Sequence, residues 1–408
     1  MTKLVIIGTG LAGYTLAREF RRRDKETDIV LITRDDGSSY SKPMLSNALS
    51  KDKHADELVM GDAAKMAVDL NADILTNTHV ISINPQEHSI EIERQAEQEQ
   101  TQAQISNKET ISYDALVLAN GANTINATIE GNAANRVLSV NDLEDYRRFR
   151  NELNENKQAE NKPGENKRVV IIGAGMIGCE FADDLSNVNA DISIVNLSSQ
   201  ILGFMMPEQA AEILQERLSE QGVKWYLNNS VTHVESDPET TSSLIVTLKD
   251  GTELKSDIVL SAIGLRPSLS LAKDSGIDID RGIKVNRYLQ SSHKDIYALG
   301  DCAQVDDLTL PFVMPLMTCA RALAATLTGE ETAVRYPAMP VALKTPCYPI
   351  VVCPAPRRVD GEWDVEITEQ GVCGLFKDST GSILGFVLMG ERTKEKTALA
   401  KQLPDWLP

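Results

Sequence analysis

Short apolar runs, each closed by glycine or by a polar turn, punctuate this chain. Leu4-Val5-Ile6-Ile7 leads into Gly8-Thr9-Gly10-Leu11-Ala12-Gly13, and Arg168-Val169-Val170-Ile171-Ile172 leads into Gly173-Ala174-Gly175-Met176-Ile177-Gly178. A run this short, without alternation, fits a strand buried on both faces, as in a parallel sheet. Helix-like stretches follow, Tyr14 to Arg23 and Cys179 to Asn187, and then a second apolar strand, Asp28 to Thr33 in the first copy. The pattern predicts one βαβ unit used twice.

Two later apolar runs end alike, at Asp114 to Gly121 and Asp257 to Gly264, each closing on Ala-x-Gly. They read as crossings between domains, with a second unit inserted into the first. By contrast, Glu93 to Lys108, rich in Gln and Glu, and Asn151 to Lys167, rich in Asn, Lys and Glu, have no apolar periodicity. Both are expected to be solvated loops, one extending a hairpin and the other entering the second βαβ unit.

In both copies strand, glycines and helix occur in the order that gives G-x-G-x-x-G its meaning. The first glycine permits a tight turn, the second lets backbone approach a pyrophosphate, and the third lets helix and strand pack closely. The helix N-terminus then offers unpaired N–H groups to the phosphates. Two dinucleotide sites are expected.

Composition narrows the partners. The 408 residues suit two or three compact units. A formal charge of -18 argues against non-specific nucleic-acid binding, which needs Lys and Arg to displace counterions. From Glu331 to Pro408 nine basic residues face ten acidic ones, so nearly all the excess lies in the first 330 residues. No apolar window reaches the roughly 18 residues of a membrane span, and no secretory leader is evident, so a cytoplasmic location is expected. The six cysteines form no CxxC or CxxxxC pair, and the five histidines are scattered without ligand spacing. No metal site is expected.

A further strand, Asp295 to Leu299, ends in Gly300-Asp301-Cys302-Ala303 and sets a carboxylate where a ribityl hydroxyl could be held. With two glycine motifs and two Ala-x-Gly crossings, the chain resembles the FAD-dependent pyridine nucleotide oxidoreductases with two dinucleotide-binding domains. SYSKPMLS at 39–46, Gly175 to Phe181, LGDCA at 299–303 and VMPLMTCARAL at 313–323 resemble the rubredoxin reductase branch of that family. The implied fold is α/β: two Rossmann-like dinucleotide-binding domains, the second inserted in the first, plus a small α+β C-terminal domain. Its implied limits are 1–121 and 257–330 for FAD, 122–256 for NAD and 331–408 for the C-terminal interface domain.

The resemblance also implies site residues. Gly8, Thr9, Gly10, Leu11, Ala12 and Gly13 would hold FAD, with Thr33, Arg34, Val80, Gly121 and Asp301, the last on the ribityl chain. Lys42 would lie at the flavin facing Glu180, and Val313 and Lys344 would complete that site. Gly173, Gly175, Met176, Ile177, Gly178 and Gly264 would hold NAD(H). Disulfide reductases of the family carry CxxxxC near position 42, where this chain has Ser41-Lys42-Pro43-Met44-Leu45-Ser46. Electrons are therefore expected to pass from flavin directly to a partner, rubredoxin, a small acidic iron-sulfur carrier. Arg321, Lys344, Arg392, Lys394 and Lys396 are candidate docking cations. Neither an acid nor an arginine stands at 196–200, where ribose or a 2'-phosphate is usually read, and NAD is favoured. A ferredoxin-type reductase, an NADH oxidase and a flavin redox sensor are the alternatives.

Overall fold

The computed structural model describes residues 1–94, 107–159, 166–240, 242–356 and 359–408. Five parallel strands form the first sheet, in the order Ile296–Ala298, Ala115–Leu118, Lys3–Ile7, Asp28–Ile32, Asp73–Leu75. Leu4, Val5 and Ile6 in its central strand are fully buried, which accounts for their unbroken apolar run. Helix Leu11–Arg23 packs against helix Val313–Leu327, so residues far apart in the chain close one layer.

The second sheet has four parallel strands, ordered Lys224–Tyr226, Asp191–Val195, Arg168–Ile172, Ile258–Ser261. Its chain enters through Ala122–Thr124 and leaves through Leu265–Pro267, and these two strands pair antiparallel with Ala122 opposite Pro267. The two Ala-x-Gly runs thus lead into the tied entry and exit of an inserted domain. Because Ile258–Ser261 pairs with Arg168–Ile172, the exit falls after Gly264, not at the expected limit of 256. After helix Val313–Leu327 the chain forms an antiparallel five-stranded sheet, ordered Val341–Leu343, Ile350–Cys353, Ile383–Gly390, Gly371–Asp378, Gly361–Thr368.

The first part of one expected loop, residues 151–159, is helical. Leu143–Ala159 carries buried Leu143, Tyr146, Phe149 and Leu153 on one stripe, and the helix runs on from that stripe into the polar stretch. Phe149 meets Phe181 edge to face at 5.5 Å, a contact worth about 1 kcal/mol beyond its buried area. The other polar stretch does extend a hairpin, since Ser89–Arg94 pairs with Asn107–Ser112. Residues 95–106 and 160–165 lie outside the described residues.

Candidate functional site

Both glycine turns are built the same way. Gly8 has φ +112°, and a Cβ there would lie 2.3 Å from the Ala119 carbonyl oxygen; Gly173 has φ +103°, with the Ala262 oxygen 2.8 Å away. A Cβ on Gly13 would sit 1.9 Å from the Gly8 oxygen, and one on Gly178 2.0 Å from the Gly173 oxygen. Gly10 and Gly175 differ, because a Cβ on either meets nothing within 4 Å. Protein packing does not require glycine at these two positions; the open space suits the approach of a ligand. The helices they begin have neither a side-chain cap nor an acidic residue in the first turn, so their N–H groups are left for an anion.

A cavity of about 480 Å³ opens beside these turns. Thr9, Gly10, Leu11, Ala12, Lys42, Gly121 and Asp301 line it from the first domain, Met176, Ile177, Glu180 and Gly264 from the second, and Val313 and Lys344 from farther along the chain. Its wall also includes Ser261, whose buried hydroxyl has no hydrogen-bond partner among the described residues. Gly300, at φ +79°, lets the chain pass where a Cβ would lie 2.8 Å from Ala12 Cβ, which sets Asp301 beside the first glycine helix. Open glycine turns, uncapped helix ends and an unpaired hydroxyl on one wall fit a dinucleotide and a flavin.

The charged groups in this wall come from distant segments. Glu180, 1% exposed, accepts hydrogen bonds from Ser46 Oγ at 2.5 Å, the Lys344 backbone N–H at 3.0 Å and Lys344 Nζ at 2.5 Å. Lys344 Nζ also donates to Ser46 Oγ at 2.9 Å. One turn further along the same helix, Asp183 accepts from Cys347 N and Asp184 from Leu49 N and Ser50 N. Three buried carboxylates thus bind the second domain's helix to the first domain and to the segment after Leu343.

Lys42 and Glu180 both line the cavity, but no ion pair joins them. Lys344, whose backbone and side chain both reach Glu180, takes that place, and Lys42 Nζ donates to Asn141 Oδ1 at 2.6 Å. Burial pushes the Lys42 ammonium below its usual pKa, while Asp301, Asp142 and Asp145 pull the other way. Burial raises the Asp301 carboxyl, with Lys42 opposing.

Several expected contacts lie off the cavity wall. Gly8, Gly13, Gly173 and Gly178 close the turns, and Gly175 is exposed beside them. Thr33 spends its backbone N–H on Leu75 and its carbonyl on Thr78, Arg34 is exposed, and Val80 packs against the first core. The docking cations do not form an unmatched positive patch. Arg392 pairs with Glu366 of the adjacent strand and with Glu395, Lys394 with Glu391, and Arg321 lies 3.9 Å from Glu19 on the packed helix. Lys344 is inside the cavity, and Lys396 is exposed. Ser46 lies within the serine-lysine stretch at 39–46, whereas nothing in the sequence marks Asn141.

Six thiols are present and none is paired with another. Among the described residues no cluster of His, Cys, Asp and Glu could hold a metal, and no helix is long and apolar enough to cross a membrane.

Two parallel-sheet units, each with an open glycine turn, and one cavity lined by Gly10 of the first motif and by Met176 and Ile177 of the second define a two-dinucleotide oxidoreductase. The chain belongs to the pyridine nucleotide-disulphide oxidoreductase family, whose model matches residues 2–325. Residues 333–403 match a second model, the rubredoxin binding C-terminal domain. The chain is 45% identical over 411 residues to the rubredoxin-NAD(+) reductase of Alcanivorax borkumensis, covering 100% of both chains. It is 44% identical to that of Acinetobacter baylyi, over 100% of this chain and 99% of the relative. Putidaredoxin reductase, solved as a covalent complex with putidaredoxin, shares the fold with TM-score 0.84 at 23% identity, over 99% of this chain and 94% of that one.

Proposed function

We propose that this chain oxidises NADH and reduces rubredoxin, with FAD and NAD(H) as its cofactors. The observation that carries the reading is one cavity lined by the first glycine turn, by Met176 and Ile177 of the second motif and by Lys344, with Ser41, Lys42 and Ser46 where a thiol relay would stand. Relatives aligned along the whole chain, and a C-terminal segment matching a rubredoxin-binding model, support the choice of partner.

Bound FAD supplies the conversion of one hydride into two single electrons. Gly10 and the uncapped start of helix Leu11–Arg23 hold its diphosphate, and Gly175 with helix Met176–Ser186 holds that of the nicotinamide. Lys42 supplies positive charge in a cavity of low polarity, where it acts more strongly than in water, and Lys344 supplies N–H donors. Glu180 and Ser46 fix the Lys344 ammonium. Leu11, Met176, Ile177, Val313 and Leu316 form apolar wall and keep water out. A cytoplasmic location is part of this reading, supported by six unpaired thiols and by the use of reduced nicotinamide.

The test is NADH oxidation by the purified flavin-loaded protein, with and without added rubredoxin. Carrier reduction that outpaces oxygen consumption supports the proposal; equal NADH loss without carrier would identify an oxidase instead.

A further inference from the structure

The two cavity lysines are held in opposite ways. Lys344 Nζ rests on a carboxylate, Glu180, at 2.5 Å. Lys42 Nζ rests on a carboxamide, Asn141 Oδ1, at 2.6 Å, and the carboxylates whose charge acts on it, Asp301, Asp142 and Asp145, form no ion pair with it among the described residues. Asn141 is itself fixed. Its Nδ2 donates to the Ala122 carbonyl at 3.0 Å, and its backbone N–H donates to Asp145 Oδ2 at 3.1 Å.

The orientation follows from donor and acceptor chemistry. Only the NH₂ end of the carboxamide can satisfy the Ala122 carbonyl, so the oxygen must face the lysine. Ala122 begins the strand that enters the inserted domain, and Asn141 precedes the helix Leu143–Ala159. The inserted segment therefore aims a lysine of the first domain.

We infer that Asn141 is a positioning residue: it directs the Lys42 ammonium into the cavity without a contacting carboxylate, so that its charge is available to the negative charge gained by a reduced flavin. A carboxylate at 141 would keep the same contact and cancel that charge. An ammonium has three donors, and the contact with Asn141 uses one. An ammonium so placed, in surroundings that already disfavour it, gains most from an anion that appears only on reduction. This inference rests on the flavoenzyme reading.

The experiment is a spectroelectrochemical titration of the flavin in the holoenzyme, for wild type, Asn141→Ala, Lys42→Met and the double variant. Asn141→Ala should weaken the preference for reduced over oxidised flavin about tenfold, which for a two-electron couple lowers the potential by about 30 mV. In the Lys42→Met background the same substitution should change that preference less than about twofold, because its effect runs through the lysine. Asn141→Asp is the second arm, for use if the alanine variant loses its flavin; it keeps the acceptor and should also weaken the preference at least about tenfold. An unchanged potential in the arm that retains flavin, or an alanine shift that persists without Lys42, would overturn the inference. A wild-type protein that retains no FAD, or whose FAD is not reduced by NADH, would overturn the flavoenzyme reading and this inference with it.

Discussion

The ion pair of Glu180 with Lys344 gives a perturbation whose size can be worked out. Glu180 is 1% exposed and the Lys344 side chain 27%, so removing the lysine leaves a carboxylate that water cannot readily reach. Breaking a buried pair from one side costs about 3–5 kcal/mol. Here the carboxylate keeps two donors, Ser46 Oγ and the Lys344 backbone N–H, and the loss for Lys344→Met is set at the lower end, about 3 kcal/mol. Glu180→Gln with Lys344→Met removes both charges and should lie within about 1 kcal/mol of wild type, because desolvation of the pair offsets most of its attraction. The assay is urea unfolding of the four proteins of the cycle, followed by circular dichroism and by flavin fluorescence. If Lys344→Met proves as stable as the double variant, the buried-charge reasoning is wrong.

Gly10→Ala apoprotein should melt like wild-type apoprotein yet bind FAD more weakly, by about 1–3 kcal/mol for the intruding methyl, whereas Gly13→Ala should fail to fold well. Equal behaviour of the two would contradict the turn geometry. Asp184→Ala strands the Leu49 and Ser50 N–H groups, which it receives at 2.8 Å each, and should cost about 2–4 kcal/mol with faster hydrogen exchange at those amides. Asp114 is pulled down to about 2 by the Thr2 hydroxyl, then by the Thr2 and Lys3 N–H groups. A depressed carboxyl contributes stability above its unfolded pKa of 3.8 and loses it as pH falls towards 2, so Asp114→Asn should flatten the acid limb of stability over that interval.

How much was legible depends on whether neighbours in sequence or in space decide a feature. Glycine turns are local: strand, G-x-G-x-x-G and helix together require backbone that only Gly8, Gly13, Gly173 and Gly178 allow. The crossings were readable for the same reason. The polar stretch from Asn151 misled, because the stripe of Leu143, Tyr146, Phe149 and Leu153 lies mostly before it and its helix runs on. Partner choice inside the cavity could not be read at all. Lys42 and Asn141 are 99 residues apart, and Glu180 and Lys344 are 164 apart. Which lysine meets the glutamate is settled by how the segment after Leu343 packs on the helix Met176–Ser186, and composition leaves no trace of that. The ion pairs of the docking cations were hidden likewise, since pairing of Arg392 and Lys394 with Glu366, Glu391 and Glu395 depends on how neighbouring elements pack, which sequence spacing does not reveal.

The central claim is that hydride enters from NADH and electrons leave to rubredoxin with no thiol between. The most direct measurement is anaerobic double-mixing stopped flow: the flavin-loaded protein is first mixed with NADH, then with oxidised rubredoxin or with a [2Fe-2S] ferredoxin. Rapid bleaching of the flavin by NADH, followed by reoxidation faster with rubredoxin than with ferredoxin and unaffected by thiol alkylation, is the predicted result. Reoxidation that favours ferredoxin, or that stops when the thiols are blocked, would contradict the account.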